Sequence, residues 1–397
     1  MTTRRQARRW QDAPSSVGLD TPLVLATMAL LGLGVVMVAS SSVTVAQGLG
    51  LDPWHYVRRH LMFIAMGAMG MAVFWVLGTR HLRTLALPCM VLSVLVLLLP
   101  FVPGLGVEVN GSTRWISLGV MRFQVVEAVK VLMIIFVAGY LARRPDLNKG
   151  AWFDNLKPLL LVGVLGVILL RQPDMGSAMV IGAIVVGMIF LAGAPVRHLM
   201  LLMLAAAPLI TFAAMEPYRL ARVMSFRDPF ADPFNSGFQL TQALIAIGRG
   251  EITGVGLGSS IQKLFYLPEA HNDFIFAVLA EELGFIGVLM VVGLFALLVG
   301  RMFVIGMKAR QLEQLFSAYL VWGVALWIAL QAMVSIGVNL GVLPTKGLTL
   351  PMISAGGSSL MMTMVAIGLV LRVAWEVRME TLKQPRQRKG AGVGWSV

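Results

Sequence analysis

Long apolar runs are the feature of this sequence that most restricts its fold. Ten of them follow one another along the 397 residues. A bilayer core offers no hydrogen-bond partners, so a backbone that crosses it must satisfy its own polar groups, as an α-helix does. Strands of a membrane barrel would be about ten residues long with strict alternation, and these runs lack that pattern. The sequence therefore predicts an all-α polytopic membrane protein with about ten transmembrane helices.

One of the ten predicted spans is too short to cross a bilayer upright. A helix needs about 20 apolar residues to cross the hydrocarbon core, and the fifth run, 158–170, is shorter than that. We expect this run to be tilted into a thinned region or only partly inserted. The other predicted spans are 22–46, 61–77, 83–103, 124–142, 175–193, 199–215, 274–300, 315–341 and 357–377.

Composition supports a membrane protein and excludes several other classes. Asp, Glu, Lys and Arg make up 13% of the chain, against about 25% in ordinary soluble domains. The single cysteine, Cys89, excludes a disulfide scaffold and a cysteine metal site. Four of the five histidines are scattered at the ends of the predicted spans, so a zinc site is not expected. No cofactor is evident, and a bound divalent cation stays open.

Basic residues are distributed unevenly between the two predicted sides of the membrane. The net charge of +13 would suggest nucleic acid as a partner for a soluble protein. In a membrane protein, Lys and Arg instead collect in cytoplasmic loops. Nineteen lie on the side of both termini and six in the short loops opposite. We therefore expect a basic cytoplasmic N-terminal tail (1–21), a membrane domain (22–377) and a basic cytoplasmic C-terminal tail (378–397) that contacts anionic lipid rather than nucleic acid.

The longest connection, 217–273, lies on the predicted outer side between the seventh and eighth spans. Loops of this length are usually functional or disordered. Several aromatic residues, the turn dipeptides Asp228-Pro229 and Asp232-Pro233, and a helical stretch near 236–248 argue against disorder. We therefore expect a large folded extracytoplasmic loop that caps the membrane domain.

Charged residues inside the predicted spans are candidates for function, because charge is costly within a membrane. Glu127 and Lys130 lie three residues apart on one face of the fourth span, where they can pair. The pair either fixes helix packing or presents Lys130 to an anionic substrate. Glu281 and Glu282, in the eighth span, point about 100° apart around a helix, so they are not an acid–base dyad. A structural role is favoured for these two acids.

Asp273 lies where the long outer loop meets the eighth predicted span. If the helix begins there, Ala277, Ala280 and Gly284 share its face and leave a groove of small residues below the carboxylate. A lipid-linked substrate would fit along that groove with its polar head at Asp273. A carboxylate at this position would also cap the helix favourably. Position alone does not separate these two roles, which are compatible.

Several segments resemble the SEDS family of cell-wall glycosyltransferases. The longest are SGFQLTQALIAIGRGEITGVGLGSSIQKLFYLPEAHNDFIFAVLAEELGF (236–285) and GVLPTKGLTLPMISAGGSSL (341–360). NGSTRWISLG (110–119) and RQPDMGSA (171–178) also match the family pattern. Within the second segment, LPTKGLTLP is similar to the division branch of the family rather than to the elongation branch. The resemblance covers almost the whole chain.

The resemblance implies an enzyme that polymerises lipid II, the undecaprenyl-pyrophosphate-linked disaccharide pentapeptide. It places this reaction on the outer face of the bacterial inner membrane, at the division septum. The functional acid of the family falls on Asp273, its outer-loop tryptophan on Trp115, and its fourth-span acid and lysine on Glu127 and Lys130. The implied partners are a class B penicillin-binding protein, which is a transpeptidase, and divisome regulatory membrane proteins.

The chemistry of such a transfer also follows from general principles. The acceptor hydroxyl needs a base, and the departing pyrophosphate needs cations. Asp273 is the expected catalytic base, and one carboxylate suffices because pyrophosphate leaves without the general acid that a glycosidase needs. The candidate cations for substrate binding are Arg219, Arg222, Arg227, Lys263, Lys346 and Lys130.

Two other functions stay open at this level. A lipid II translocase would share the polytopic architecture and the Glu127–Lys130 pair, but it should need charge along a path between the leaflets. A non-catalytic divisome scaffold would make Asp273 dispensable. The polar elements of this sequence gather on the predicted outer face, which favours the enzyme.

Overall fold

The described part of the chain is mostly helical. The computed structural model describes residues 18–109, 111–117, 119, 121–144, 152–215, 226–233, 235, 237–264, 266–345 and 347–390. Its helices are α1 (Thr21–Gly48), α2 (His55–Val76), α3 (Thr79–Thr84), α4 (Ala86–Leu98), α5 (Val125–Ala142), α6 (Trp152–Arg171), α7 (Met175–Leu191), α8 (Val196–Ala214), α9 (Phe238–Arg249), α10 (Ile275–Gln311), α11 (Leu315–Asn339) and α12 (Gly357–Gly390).

Six of the described helices are long and apolar enough to cross a membrane, namely α1, α2, α5, α10, α11 and α12. Helix α7 is apolar but shorter, as is α4 even with the 3-10 turn that extends it to Phe101. The prediction of a multipass helical membrane protein is therefore confirmed. Helix α6 begins before the short apolar run 158–170 and reaches 20 residues, because residues 152–157 on the N-terminal side of the run join the helix.

Helices α5, α11 and α12, the most buried of the six apolar helices, form the centre of the bundle. In the most apolar part of α5, 83% of the residues are buried, against 28% in α10 and 17% in α2. Trp327 of α11 and Lys130 of α5 are among the largest fully buried side chains. Helix α10 instead exposes apolar side chains such as Leu289 and Met290, as expected of a helix that faces lipid. Charged groups on α5 therefore lie in the protein interior.

A small antiparallel sheet lies between α4 and α5, so the expectation of an all-α fold is wrong in this region. Its strands, in spatial order, are β1 (Gly106–Val109), β2 (Ser112–Ser117) and β3 (Arg122–Gln124). Gly111, with a φ of +72°, has the backbone conformation that tight hairpin turns require. Trp115 of β2 pairs with Val107 on one side and Gln124 on the other. Since α5 follows Gln124 directly, the sheet holds Trp115 close to the start of α5.

The connection between α8 and α10 contains the helix that the sequence predicts near 236–248. This helix, α9, packs against α10 and buries Leu240, Ala243 and Ala246. The described residues around it form turns rather than strands. Residues 216–225 of this connection lie outside the described part of the chain.

Helix α10 is interrupted at Gly284, which has φ +64° and ψ −163°. The carbonyl oxygens of Glu281 and Glu282 accept hydrogen bonds from the N–H groups of Val255 and Gly256, at 3.0 and 3.1 Å. On the other side of the break, the N–H groups of Phe285 and Ile286 donate to the carbonyl oxygens of Glu251 and Ile252, at 3.0 and 3.2 Å. Four hydrogen bonds thus fasten the break to segment 251–256.

Glycine is required on both sides of this contact. A Cβ atom on Gly284 would lie 2.3 Å from the backbone nitrogen of Gly254, and one on Gly254 would lie 2.2 Å from the carbonyl oxygen of Glu282. Both residues also have positive φ, which side chains disfavour. Gly254, the first glycine of GVGLG (254–258), is therefore required for the close packing against the break at Gly284.

The predicted groove of small residues below Asp273 is not formed. Helix α10 begins at Ile275 rather than at Asp273, and Gly284 is not helical. Ala277 and Ala280 are buried in the core. The expectation was wrong because it assumed one continuous helix, whereas the break and the packing of segment 250–256 occupy that face.

Candidate functional site

Asp273 lies in the turn before α10, where it is half-buried. Asn339, the fully buried last residue of α11, donates from Nδ2 to the carbonyl oxygen of Asp273 at 3.0 Å. Its Oδ1 accepts a hydrogen bond from the N–H of Ala277, also at 3.0 Å. One neutral amide therefore fixes the backbone of Asp273 and caps α10 from another helix. The N-cap residue of α10 is Phe274, so the capping function considered for Asp273 belongs to Asn339.

The connection between α11 and α12 covers the turn that carries Asp273. Ser354 donates from Oγ to the carbonyl oxygen of Asn272 at 2.8 Å, and the N–H of Ala355 donates to the carbonyl oxygen of His271 at 3.1 Å. A Cβ atom on Gly347 would lie 2.9 Å from Oδ2 of Asp273. The carboxylate therefore approaches the backbone of segment 347–356 at a position where a side chain would collide with it.

Glu127 and Lys130 form a buried ion pair that reaches the same segment from α5. Nζ of Lys130 lies 2.8 Å from Oε1 of Glu127 and 4.9 Å from the ring centre of Trp327. It also donates to Oε1 of Gln331 at 2.8 Å. Nε2 of Gln331 in turn donates to the carbonyl oxygen of Thr349 at 3.0 Å. Segment 347–356 therefore links the two predicted charged features. Gly347 lies against the Asp273 carboxylate, and Thr349 is connected to Lys130 through Gln331.

The burial of Lys130 bears on the two functions considered for it. The residue is 1% exposed, and its charge is balanced by Glu127. These contacts favour the packing function, in which the pair orients Gln331 and through it segment 347–356. A direct contact between Lys130 and substrate stays a prediction.

Trp115 is half-buried on β2, and the sheet that carries it is fastened at two points. Ser112 donates from Oγ to the carbonyl oxygen of Gln172 at 2.6 Å. At the other edge, the N–H of Gln124 donates to Oγ of Ser358 at 3.0 Å. Since Ser358 lies in the first turn of α12, the sheet adjoins the end of segment 347–356. Its contact with a substrate stays a prediction.

Glu281 and Glu282 are both buried, and each has a separate cation. Nη1 of Arg249 lies 2.9 Å from Oε1 of Glu281, and Nζ of Lys263 lies 2.8 Å from Oε1 of Glu282. Ser40 of α1 donates to Glu282 at 2.7 Å and accepts from Lys263 at 3.0 Å. These contacts tie α1, α10 and the connection between α8 and α10 together, in agreement with the structural role favoured for the two acids.

Lys263 was predicted as a cation for substrate binding, and the structure places it 4% exposed in the pair with Glu282. It lines a cleft of about 490 Å³ between α1 and segment 258–264. The cleft is bounded by Ala39, Ser40, Val43, Thr44, Gly258, Ser259, Ser260, Ile261, Lys263 and Leu264. Because its charge is already paired, Lys263 is a weaker candidate for pyrophosphate than the sequence suggested, and its substrate contact is untested.

The remaining predicted cations are placed differently. Arg219, Arg222 and Lys346 lie outside the described residues, and their contacts with substrate stay predictions. Arg227 is exposed in the connection before α9. Within the described ranges, no group of three or more His, Cys, Asp or Glu side chains is arranged to hold a metal ion.

His271 is the titratable neighbour of Asp273 in the same turn. Its ring lies 4.8 Å from that of Tyr56 on α2, at an interplanar angle of 49°. Burial lowers the pKa of His271 below its ordinary value of 6.5, while the nearby carboxylate of Glu269 opposes that shift. His271 is therefore expected to be neutral at pH 7, so it does not supply a cation beside Asp273.

Gln331, Asn339 and Ser354 are site residues that the sequence analysis missed. They are neutral, and the search for chemistry followed charged groups. A signal was present, since Gln331 and Asn339 interrupt an apolar run and a buried amide must find hydrogen-bond partners. Their partners, Lys130 and Asp273, however, lie 201 and 66 residues away in sequence. These contacts therefore could not be predicted from the sequence.

The fold and the site around Asp273 together define the class of protein. The chain is a multipass helical membrane protein with a half-buried carboxylate that is held at one end of the bundle by interlocking turns and a buried ion pair behind them. The sequence profile of a family described as cell cycle proteins, named for FtsW, RodA and SpoVE, matches residues 21–379. The chain belongs to this family, and the resemblance to SEDS proteins is thereby confirmed.

Individual relatives place the chain in the division branch. It is 51% identical to a probable peptidoglycan glycosyltransferase FtsW of Xanthomonas oryzae pv. oryzae, over 94% of this chain and 76% of that one. It is 48% identical to a protein of the same description from Coxiella burnetii, over 90% of this chain and 96% of that one.

Solved structures agree with this assignment. A chain of a peptidoglycan synthase complex that coordinates polymerization and crosslinking is 33% identical, with a TM-score of 0.73 over 90% of this chain and 98% of that one. The rod shape determining protein RodA of Thermus thermophilus is 30% identical, with a TM-score of 0.67 over 91% of this chain and 98% of that one.

Proposed function

We propose that this protein is a peptidoglycan glycosyltransferase that polymerises lipid II into glycan strands for septal cell-wall synthesis. The family and the FtsW relatives support the activity. The single observation that carries the mechanism is the placement of Asp273, a carboxylate with partial solvent access whose backbone is fixed by the buried amide of Asn339.

In this mechanism, Asp273 is the general base. Its carboxylate accepts the proton of the acceptor sugar hydroxyl as that oxygen attacks the anomeric carbon of the donor. The bond from that carbon to the pyrophosphate oxygen breaks, and the undecaprenyl pyrophosphate leaves with the electron pair. A positioned base contributes on the order of 10²–10⁴-fold to such a reaction. The hydrogen bond from Asn339 fixes the backbone of Asp273 and so restricts the positions of its carboxylate, which preserves the rate enhancement from the base.

The departing pyrophosphate carries negative charge that must be stabilised by cations. We rank Lys346 first among the candidates because it precedes Gly347, whose backbone the Asp273 carboxylate approaches. Arg219 and Arg222 are the next candidates, in the outer connection. Lys130, Glu127 and Lys263 act mainly by holding the surrounding elements in place, since their charges are paired inside the protein. Trp115 would contact a sugar ring from the sheet.

The proposed topology has ten membrane spans, with α3 and α9 outside them. Both termini are then cytoplasmic, and the connection 217–273 is extracytoplasmic. The supporting observation is the surplus of Lys and Arg on the side of the termini. We place the protein in the bacterial inner membrane, enriched at the septum, as its resemblance to the division branch of the family implies.

The proposed partners are a class B penicillin-binding protein and divisome regulatory membrane proteins. The likeness to a chain from a peptidoglycan synthase complex supports the first of these. Such a transpeptidase would crosslink the strands that this protein polymerises. The substrate lipid II would enter from the surrounding bilayer.

The test is polymerisation of lipid II by the purified full chain, alone and with its cognate transpeptidase. Asp273→Asn keeps the size of the side chain and removes the base, so we expect polymer formation to fall by 10²-fold or more (about the general-base contribution). Glu269→Gln is the matched control, since Glu269 is an exposed carboxylate four residues earlier in the same turn region. It should retain most of the wild-type rate.

Each result decides between functions. Polymer from wild type and from Glu269→Gln, with little from an equally folded Asp273→Asn, supports the enzyme and its base. Full activity of Asp273→Asn would refute Asp273 as the base. Absence of polymer from wild type, even with the partner present, would refute the enzyme in favour of a translocase or a scaffold, which a vesicle flipping assay separates.

A further inference from the structure

A second cavity lies at the end of the bundle opposite Asp273. Its volume is about 510 Å³, and it is formed where the N-terminal end of α1, the C-terminal part of α10 and the last turns of α12 meet. Lys308, in its wall, lies about 35 Å beyond the Gly284 break along α10. Its charged lining residues are Asp20, Arg301, Lys308 and Arg378.

The polar part of this cavity has a surplus of positive charge. Asp20 is the single acid among the lining residues. Arg301 binds both of its carboxylate oxygens, with Nε at 2.8 and 3.0 Å and Nη2 at 2.7 Å. Lys308 and Arg378 are exposed and have no ion-pair partner among the described residues. Two cations therefore line the cavity without an ion-pair partner in the described part of the chain.

The arrangement around Arg301 leaves further donors. Asp20 engages Nε and Nη2 of the guanidinium, so the N–H groups of Nη1 stay available for another acceptor. The same aspartate also accepts from the N–H of Leu23 and caps α1. The Asp20–Arg301 pair therefore forms one wall of the cavity. Lys308 and Arg378 are the exposed cations beside it.

The remaining wall of the cavity is apolar. Ile305 of α10 and Leu312, which follows that helix, line the cavity together with Ala374 and Val377 of α12. A soluble anion would use the cations and gain nothing from these side chains. A phospholipid would place its phosphate among the cations and its glycerol and upper acyl carbons against the apolar wall. Basic pockets between membrane helices on the cytoplasmic side are a known binding place for anionic head groups.

We infer that this cavity binds the phosphodiester head group of an anionic phospholipid, with Lys308 and Arg378 as the main contacts and Arg301 in support. It is separate from the site around Asp273. The assignment to the cytoplasmic leaflet follows from the proposed topology, whereas binding itself does not depend on the glycosyltransferase activity.

The test is native mass spectrometry of the full chain in detergent, titrated with phosphatidylglycerol, with phosphatidylcholine as the neutral comparison. We expect the Lys308→Gln/Arg378→Gln double variant to lose about 10-fold or more in affinity for phosphatidylglycerol, since each cation near a membrane surface contributes measurably. Arg310→Gln/Lys383→Gln is the matched control. It removes the same charge from the same two helices at residues that do not line the cavity.

The outcomes separate a built site from general surface charge. Preference for phosphatidylglycerol that is lost in the first double variant and kept in the control supports the site. Equal losses in both double variants, or equal binding of phosphatidylcholine by wild type, would overturn it. Displacement of phosphatidylglycerol by millimolar glycerol 3-phosphate would also overturn it, because the occupant would then be a soluble phosphate. The Asp273→Asn protein should bind lipid as wild type does, which keeps this test independent of the proposed function.

Discussion

Three carboxylates lie within ten residues of one another, and the structure treats them in two ways. Glu281 and Glu282 are fully buried, and their oxygens are bound by Arg249, Lys263 and neighbouring hydroxyl groups. Asp273 is half-buried, and its backbone carbonyl is held by the buried amide of Asn339. The two glutamates fasten three elements together, whereas Asp273 is positioned at the edge of the bundle.

The difference shows how an acid in a membrane protein can be assigned a role. A base must reach the proton that it abstracts, so it needs access and a fixed position. A structural acid needs only complete pairing, because an unpaired buried charge is strongly destabilising. The sequence already favoured a structural role for the two glutamates, and their burial and pairing agree with that assignment.

The largest effect on folding is expected from a substitution at Gly284, the break in α10 next to the buried Glu281 and Glu282. Gly284→Ala places a Cβ atom 2.3 Å from the nitrogen of Gly254, in a backbone conformation with φ +64°. Neither backbone can move without losing hydrogen bonds across the break. We expect this variant to yield no monodisperse protein on size-exclusion chromatography. Gly248→Ala is the control, since its Cβ meets nothing within 4 Å. A well-folded Gly284→Ala protein would show that the break is not required.

Removing one cation of the buried pairs should have the next largest effect. Lys263→Met leaves the carboxylate of Glu282 buried without its cation, which costs about 3–5 kcal/mol. Arg249→Met should cost less, because Arg249 is 39% exposed and water can reach its place beside Glu281. Thermal unfolding in detergent measures both, and Lys263→Met/Glu282→Gln should recover part of the loss. Equal unfolding temperatures for the two single variants would contradict the difference in burial.

A substitution at Asn339 tests how the backbone of Asp273 is held. Asn339→Ala removes the bonds to the Asp273 carbonyl and the Ala277 N–H, which should cost about 1–3 kcal/mol of stability. Because the base then loses its fixed position, we expect kcat for polymerisation to fall about 10-fold with KM little changed. Ser335→Ala, one turn earlier on α11, is the control. A fall in apparent kcat that is no larger than the loss of folded protein in the same sample would indicate a structural effect alone.

The smallest expected effect concerns pH. The pKa of His271 is lower in the folded protein than its ordinary 6.5, so the unfolded chain binds a proton more readily between those two values. The stability that neutral His271 contributes is therefore complete above pH 6.5 and is lost as the pH falls through the folded-state pKa. Wild-type unfolding temperature should drop more than that of His271→Gln between pH 7 and pH 5. Parallel curves would contradict this.

The sequence predicted the features that depend on composition and local spacing. Apolar runs marked the helices because lipid requires internally bonded backbone, and the spacing of Glu127 and Lys130 predicted their pairing. The sheet was missed because its strands are only four, six and three residues long. Too few residues alternate in such strands for a periodic signal, although Gly111 fits a hairpin turn.

Contacts between distant parts of the chain could not be predicted in the same way. Lys263 follows a loop and Glu282 lies in a helix, and nothing local indicates that they meet. The position of the Gly284 break was equally hidden, since glycine is common in membrane helices and the reason for the break is the backbone of segment 251–256. Asp273 itself was found through its position at a loop and helix boundary, while its supports came only from the structure.

The break at Gly284 has a mechanical consequence. It divides α10 into a short outer piece, bonded to the connection before it, and an inner piece, 285–311, about 40 Å long. The inner piece is long enough to cross the bilayer by itself. In the proposed topology, a force applied to the connection from the cell-wall side would reach this rod directly through two backbone hydrogen bonds, those donated by Phe285 and Ile286. The other two hydrogen bonds hold the short piece of α10, so the connection is coupled to a helix that, in the proposed topology, reaches the opposite membrane surface.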